Sequence, residues 1–537
     1  VTTLLLTPMI LLPFLGAALQ ALAARPASAR WFAFCSSLIS SILGMIVLAH
    51  GLLGLSPEGL TDRLPWVGSY AISYELSVDG MSRIAVLIVS LLFPVLIASE
   101  WERGRGARGL YALFLVLQGA LLGAVCAQDL FLLFFFWALS SIPVFFLVGI
   151  WGGPGKEEAA FRALVTSAVG NALLFGALVL IYYSKEPHTF LIRDLVQGGT
   201  PWREITVSGV QLSVSSVAFL FICLGLALRA PVWPLHGWFT RLADEAPSSV
   251  SVAVAGAVVP CALQIFGKLT HLLFPSTFSA AANWIAAAGL INLLVGALAA
   301  NAQRRLSSLI SCLVLVQVGI SLIALGSEHS SAMVGMTYHQ LSSALAIAGL
   351  GLLFGALATK GRHPDLQESS GGAGLVLEAP VAGIVMALSI ATLVGVPGLS
   401  GFVGQGLVLM GSYSSSPWII LPAGVSLLLL TTCLFGAYRV LFLGGTSGER
   451  VSERRDDELT LREKSYLLPL VGLMVVFGLY PKPVLDIVRP TAEQLLSKTS
   501  NASEPAVPQG VAEEDAPGTA PTSLPTTGPS PAEGEAR

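Results

Sequence analysis

Apolar stretches long enough to cross a bilayer recur along almost the whole chain. A hydrocarbon core takes about 20 apolar residues per helix. Stretches of that kind centre near 3–24, 31–53, 82–99, 110–127, 130–150, 160–183, 213–232, 250–273, 278–300, 307–326, 332–358, 379–411, 417–443 and 465–485. The pattern predicts an all-α polytopic membrane protein with about 14 transmembrane helices. The first stretch holds Pro8 and Pro13 and follows no basic segment, so it is expected to be a retained helix and not a cleaved signal. From about residue 499 the pattern dissolves into Pro, Ala, Gly, Thr, Ser and acidic residues. Such a segment has too little apolar surface to fold, and 499–537 is expected to be a disordered tail.

Polar residues between the stretches add an orientation. Loops after odd-numbered spans carry Arg25, Arg30, Arg103, Arg105, Arg108, Lys156, Arg162, Arg241, Arg304, Arg305, Lys360, Arg362, Arg450, Arg454, Arg455, Arg462 and Lys464. Loops after even-numbered spans carry chiefly Arg63, Lys185, Arg193 and Arg203. Basic loops stay in the cytoplasm, so the odd-numbered loops are expected there and both termini on the outer, periplasmic side of a bacterial inner membrane.

Composition agrees with the pattern. The 537 residues are 54% hydrophobic and 11% charged, against about 25% charged in an ordinary soluble domain. Mean hydropathy is +0.76. A net charge of −3 excludes a basic nucleic-acid binder. The cysteines Cys35, Cys126, Cys223, Cys261, Cys312 and Cys433 all lie scattered inside apolar runs. They read as small core hydrophobes, and neither a disulfide framework nor a metal or iron–sulfur site is indicated.

Two spans contain breakers that a simple anchor would lack. The seventh reads Leu228-Arg229-Ala230-Pro231-Val232-Trp233-Pro234-Leu235-His236-Gly237-Trp238, and the twelfth holds Gly395-Val396-Pro397-Gly398-Leu399-Ser400-Gly401-Phe402-Val403-Gly404-Gln405. Proline removes a backbone donor, and unpaired carbonyls in hydrocarbon are costly unless protein or water satisfies them. Paired interruptions about five spans apart point to two inverted five-helix repeats. The expected division is 1–109 for spans one to three, 110–275 and 276–445 for the two repeats, 446–498 for a cytoplasmic loop and the fourteenth span, and then the tail.

At these residues the chain resembles the antiporter-like membrane subunits of respiratory complex I, of the M type found in bacterial NADH-quinone oxidoreductase. The resemblance rests on the seventh-span run followed by Glu245-Ala246-Pro247 and Ala255-Gly256, and on the turn around Asp129. It rests also on Phe146-Leu147-Val148-Gly149-Ile150-Trp151-Gly152-Gly153, the twelfth-span stretch, and Phe477-Gly478-Leu479-Tyr480-Pro481-Lys482-Pro483. It spans about residues 5–490. The family implies proton movement coupled to quinone reduction, other membrane-arm subunits as partners, and no cofactor on this chain. NADH, FMN, iron–sulfur clusters and quinone would belong to partner subunits.

A proton path through hydrocarbon needs ionisable groups in a hydrated file. The family supplies them, and this chain lacks most of them. The fifth-span glutamate falls on Ala138 and the eighth-span lysine on Pro260, which is also expected to break its helix. The seventh-span lysine falls on Arg229, which keeps its charge but does not release its proton. The basic pair before the tenth span falls on Ser307 and Ser308, and the tenth-span histidine on Gln317. The eleventh-span histidine falls on Ser343, with His339 one turn away, and the twelfth-span acid on Gln405.

The remaining proton-path candidates are Arg229, His236, Lys268, Gln317, His339 and Gln405. Arg229 is expected to find carboxylate or carbonyl partners, and His236 to hydrogen-bond the backbone freed by Pro231 and Pro234. Lys268 reads as a displaced relay lysine or a snorkelling side chain. Asp129 and Glu245 read as helix caps. The function expected is an M-like membrane-arm component whose own channel is degenerate or rerouted. The alternatives are a stand-alone cation/proton antiporter module and a membrane anchor of an ion-coupled complex such as inorganic-carbon uptake.

Overall fold

The computed structural model describes residues 4–20, 26–54, 60–102, 106–186, 188–197, 202, 204–207, 210–360, 379–443 and 459–503. The tail beyond Ser503 and the loop cations Arg25, Arg103, Arg105, Arg203, Arg362, Arg450, Arg454 and Arg455 lie outside them.

Apolar sequence becomes helix at nearly every stretch where span length required it. The helices are α1 (Leu6–Leu19), α2 (Pro26–Leu52), α3 (Gly80–Ser99), α4 (Ala107–Cys126), α5 (Leu130–Leu139), α6 (Ser141–Trp151), α7 (Lys156–Ser184), α8 (Ile192–Gln197) and α9 (Val214–Arg229). They continue as α10 (Gly237–Glu245), α11 (Ser248–Ala253), α12 (Val259–Leu273), α13 (Pro275–Asn301), α14 (Leu306–Gly326) and α15 (Ser330–Thr359). The last are α16 (Pro380–Leu393), α17 (Ser400–Ser415), α18 (Ile420–Phe442), α19 (Leu461–Leu479) and α20 (Lys482–Ser503). Among the described residues ten helices are long and apolar enough to cross a membrane, α19 and α20 form a pair bent by 69°, and α1, α9 and α16 are shorter apolar helices. The chain is a multi-pass membrane protein. The fourteenth stretch, expected to end near 485, turns at Tyr480-Pro481, and the helix that follows runs to Ser503, beyond the expected boundary at 498.

Two hairpins depart from a purely helical reading. β1 (Thr61–Val67) pairs antiparallel with β2 (Ile72–Ser77), and β3 (Glu204–Val207) with β4 (Val210–Ser213). Arg63 and Glu75 form a two-pronged ion pair across the first hairpin, at 2.6 and 2.8 Å.

Close helix approach rests on small residues, as hydrocarbon gives apolar surfaces little reason to associate. A Cβ on Gly225 of α9 would lie 2.8 Å from the carbonyl of Gly170 on α7. In the second half, a Cβ on Gly404 of α17 would lie 2.7 Å from the Cα of His339 on α15. These two contacts set the helices that carry the breaks against their neighbours.

Two expectations are corrected at this level. Pro260 does not break its helix: a π-helical turn at Val254–Val258 joins α11 to α12, and Ser248–Leu273 forms a single span. The wider turn just before the proline absorbs its missing donor and ring. Not all cysteines are core residues either. Cys126, Cys261 and Cys312 are buried, Cys223 and Cys433 half-buried, and Cys35 is exposed on α2. An apolar residue on a membrane helix packs as well against lipid as against protein, so burial could not be inferred from its run.

Candidate functional site

The first break is built around Arg229, the last residue of α9, which is only 2% exposed. Its partners come from the junction of α5 and α6. Nη2 donates to the Ser140 hydroxyl at 2.8 Å, and Nη1 donates to the Ser141 hydroxyl. The guanidinium lies over the Trp137 ring, 4.6 Å from the centroid. Ser140 in turn donates to the Trp137 carbonyl at 2.6 Å, and Asn171 of α7 donates to Ser141 at 3.2 Å. A cation is thus fixed by two hydroxyls and an indole face. No carboxylate or carbonyl takes part among the described residues, which corrects the expectation. Ala138, where the resemblance leads one to expect an acid, is the residue after that tryptophan, and an arginine so held keeps its proton.

The freed backbone is satisfied by a residue the sequence did not single out. Trp233 N–H donates to Asn292 Oδ1 at 2.7 Å, while Asn292 Nδ2 donates to the Leu315 carbonyl at 2.8 Å. Asn292 sits on α13, fully buried. His236, expected in that role, precedes α10 as its N-cap residue with Nδ1 unpartnered.

Glu245 is not an N-cap. It closes α10, its carboxylate accepting from Gly155 N–H at 2.8 Å and its carbonyl from Gly153 N–H at 2.7 Å. The Gly152–Gly155 turn is thereby pinned to the second part of the broken span. The adjacent Asp244 accepts from Ser307 at 3.0 Å and Ser308 at 2.6 Å, so these two serines clamp α10 to the start of α14. Asp129 does cap α5: it accepts from Phe131 and Leu132 N–H at 2.9 and 3.1 Å, and from Ser73 N–H at 3.0 Å. Burial pushes its carboxyl above the usual carboxylate value despite those bonds.

The second break is closed by Gln405. Its Nε2 donates to the Leu393 carbonyl at 2.7 Å, tying α17 back to the end of α16 across Pro397 and Gly398. Gly395 and Gly398 hold φ of 76° and 91°, which side-chain-bearing residues rarely adopt. His339 stands one packing contact away, 1% exposed with neither ring nitrogen partnered. Gln317 on α14 is buried with both amide atoms unpartnered, and Ser343 donates to the Gln340 carbonyl at 3.2 Å. The structure thus brings His339 next to the second break, and holds Arg229 in the first.

Lys268 lies apart from both breaks. It pairs with Asp79, at the start of α3, with Nζ 2.9 Å from Oδ2, and its side chain is 13% exposed. It therefore neither snorkels freely nor stands in the place of Pro260. Among the described residues no cluster of three or more His, Cys, Asp or Glu is placed to hold a metal.

The model of the family described as "NADH:quinone oxidoreductase/Mrp antiporter, TM" matches residues 127–431, more than half of the chain. The chain belongs to that family. Among its relatives, NADH-quinone oxidoreductase subunit M of Escherichia coli K12 is 29% identical over 504 residues, covering 90% of this chain and 96% of the relative. Subunit M of Rhodobacter capsulatus is 27% identical over 509 residues, covering 92% and 96%. A chain of respiratory complex I from Thermus thermophilus shares the fold with a TM-score of 0.81, at 24% identity over 92% of this chain and 99% of that one. A chain of the Mrp complex from Dietzia shares it at 0.77 and 18% identity, covering 93% and 99%. Both breaks of this chain are held by bonds from Arg229, Asn292 and Gln405, with His236 inside the first and His339 beside the second.

Proposed function

We propose that this chain is the M-type antiporter-like subunit in the membrane arm of a complex I-type quinone oxidoreductase, and that it does not conduct protons by the family's usual route. The carrying observation is Arg229 locked between Ser140, Ser141 and Trp137, beside the alanine that replaces the acid. An ion-pair relay needs a group that releases its proton, and arginine remains charged. The neutral Gln405 across the second break supports the same reading. The subunit then acts by filling its place: it presents large apolar faces that adjacent membrane-arm subunits would cover. Quinone chemistry, with NADH, FMN and iron–sulfur clusters, belongs to partners. In this reading the two inverted repeats are 110–275 and 276–445, the odd-numbered loops face the cytoplasm of a bacterial inner membrane, and both termini face outward.

The test is the proton-to-electron ratio of the intact complex in sealed proteoliposomes, native against Arg229→Ala, with assembly and quinone reduction followed in the same preparation. An unchanged ratio is expected. A ratio that falls while assembly and electron transfer stay normal overturns the non-conducting reading.

A further inference from the structure

The end of the bundle where α2 and α12 finish and α3 begins holds two neighbouring cavities. The larger is an open vestibule of about 580 Å³, walled also by α8 and α20. The smaller, about 20 Å³, lies between the start of α3, the end of α4 and α12. Asp79, Lys268 and Leu495 belong to the walls of both. The Lys268–Asp79 ion pair therefore stands where the two spaces meet.

The two partners of that pair are held unequally. Asp79 Oδ1 accepts from Ser82 N–H at 2.8 Å, and the aspartate charge also acts on Arg83, one turn further along α3. The carboxylate thus keeps partners when Lys268 leaves. Lys268 Nζ, shielded from solvent, lies 2.9 Å from Asp79 Oδ2 and has no other partner among the described residues. An ammonium carries three donors, and its flexible stem can carry the charge out to the water of the vestibule.

The smaller cavity is lined by a group that lacks its hydrogen bonds. Gln264 lies one turn before Lys268 on α12. It is 5% exposed, and neither its amide oxygen nor its amide nitrogen has a partner among the described residues. Buried side-chain amides are as a rule hydrogen-bonded, to protein or to ordered water. A buried water needs about 10–15 Å³ and two to four polar partners. The cavity has that volume, and Gln264, Lys268, Asp79 and Ser82 stand in its wall.

We propose that the cavity at Gln264 is an internal water site, and that the Lys268–Asp79 pair is a removable plug between it and the vestibule. With Lys268 seated, the site is closed off from bulk water. With Lys268 swung out, vestibule and cavity join, and water reaches one turn deeper along α12. The site is separate from both helix breaks, so the proposal stands or falls independently of the non-conducting reading.

The test is the rate at which methyl methanethiosulfonate, a small uncharged thiol reagent, modifies an introduced cysteine. It uses the full-length chain in detergent, purified with whatever subunits accompany it. Adducts are assigned by site-resolved mass spectrometry, which separates them from those of the native cysteines. Gln264→Cys is expected to react slowly with the pair intact and about tenfold faster when combined with Lys268→Met, thiol reactivity following exposure. Asp79→Asn keeps an acceptor for Ser82 N–H but removes the charge that seats Lys268. It is expected to speed the reaction likewise, and decides the matter where Lys268→Met does not fold. Val196→Cys, half-buried in the vestibule wall, is expected to react quickly in every background. Fast reaction at position 264 with the pair intact overturns the plug. Slow reaction there after either substitution, while position 196 reacts quickly, overturns the water site. Slow reaction at position 196 overturns the open vestibule and the proposal with it.

Discussion

The two broken spans solve one problem with different chemistry. The first is made by prolines and a cation: Pro231 and Pro234 interrupt the helix, Asn292 from α13 satisfies the freed backbone, and Arg229 is moored to Ser140 and Ser141. The second is made by glycines and an amide. Gly395 and Gly398 adopt left-handed φ, and Gly401 lets α17 approach so closely that its Cβ would fall 1.7 Å from the Thr392 carbonyl. At the first break, by contrast, a Cβ on Gly237 would meet nothing within 4 Å. The first break is therefore held by long-range polar partners and the second by local backbone geometry. At each break the hydrogen bond between a side chain and the interrupted backbone is made by an amide, Asn292 at the first and Gln405 at the second.

That contrast can be broken at several points. The largest effect is expected from Gly401→Ala, since backbone and not a flexible side chain stands in the way. Overpacking of this kind costs about 3 kcal/mol or more, read as loss of assembled protein and of a cooperative thermal transition. Gly237→Ala, its counterpart in position, is expected to leave the transition within about 0.5 kcal/mol of native, as a surface substitution does.

Next comes Ser140→Ala with Ser141→Ala, which strips the hydroxyls from a buried cation. Losing hydrogen bonds to a charged group costs about 3 kcal/mol for the pair. Adding Arg229→Met should recover most of that loss, because the charge that needed them is gone. A double variant as stable as native would show that the hydroxyls do not hold the cation.

Gln405→Leu removes one donor and leaves the Leu393 carbonyl unpaired, at about 1 to 2 kcal/mol. The thermal midpoint should fall by less than for the serine pair.

The smallest effect belongs to Asp129→Asn, which keeps an acceptor for the cap. The folded carboxyl titrates above its ordinary value. Its contribution is therefore fully present below the ordinary aspartate value and lost as pH rises through the raised folded one. Native chain should lose stability on raising pH through that window, and the asparagine variant should lose less.

Legibility of the site followed sequence distance. Asp129 was readable as a cap because its acceptors' partners are two and three residues on. Arg229 was readable as buried and special, but its partners lie 88 and 89 residues away, and only the pair Ser140-Ser141 after an aromatic run marked them. Glu245 looked like a cap from its place before Pro247, yet its bond runs 90 residues back to Gly155. Lys268 found Asp79 at the start of α3, ahead of the first expected repeat. Pro260 misled for a different reason: a proline does break an ideal α-helix, and the π turn that accommodates it leaves no mark on composition.

Span length, the positions of the two breaks and the scarcity of charged residues within the spans follow from the chain alone. Those properties depend on residue type along a line, and hydrocarbon imposes them helix by helix. Which hydroxyls hold the arginine, which amide repairs the proline break, and which carboxylate meets Lys268 were decided only by packing. Those partners are neighbours in space contributed by different helices, and the bilayer gives such helices no pattern by which to announce whom they face.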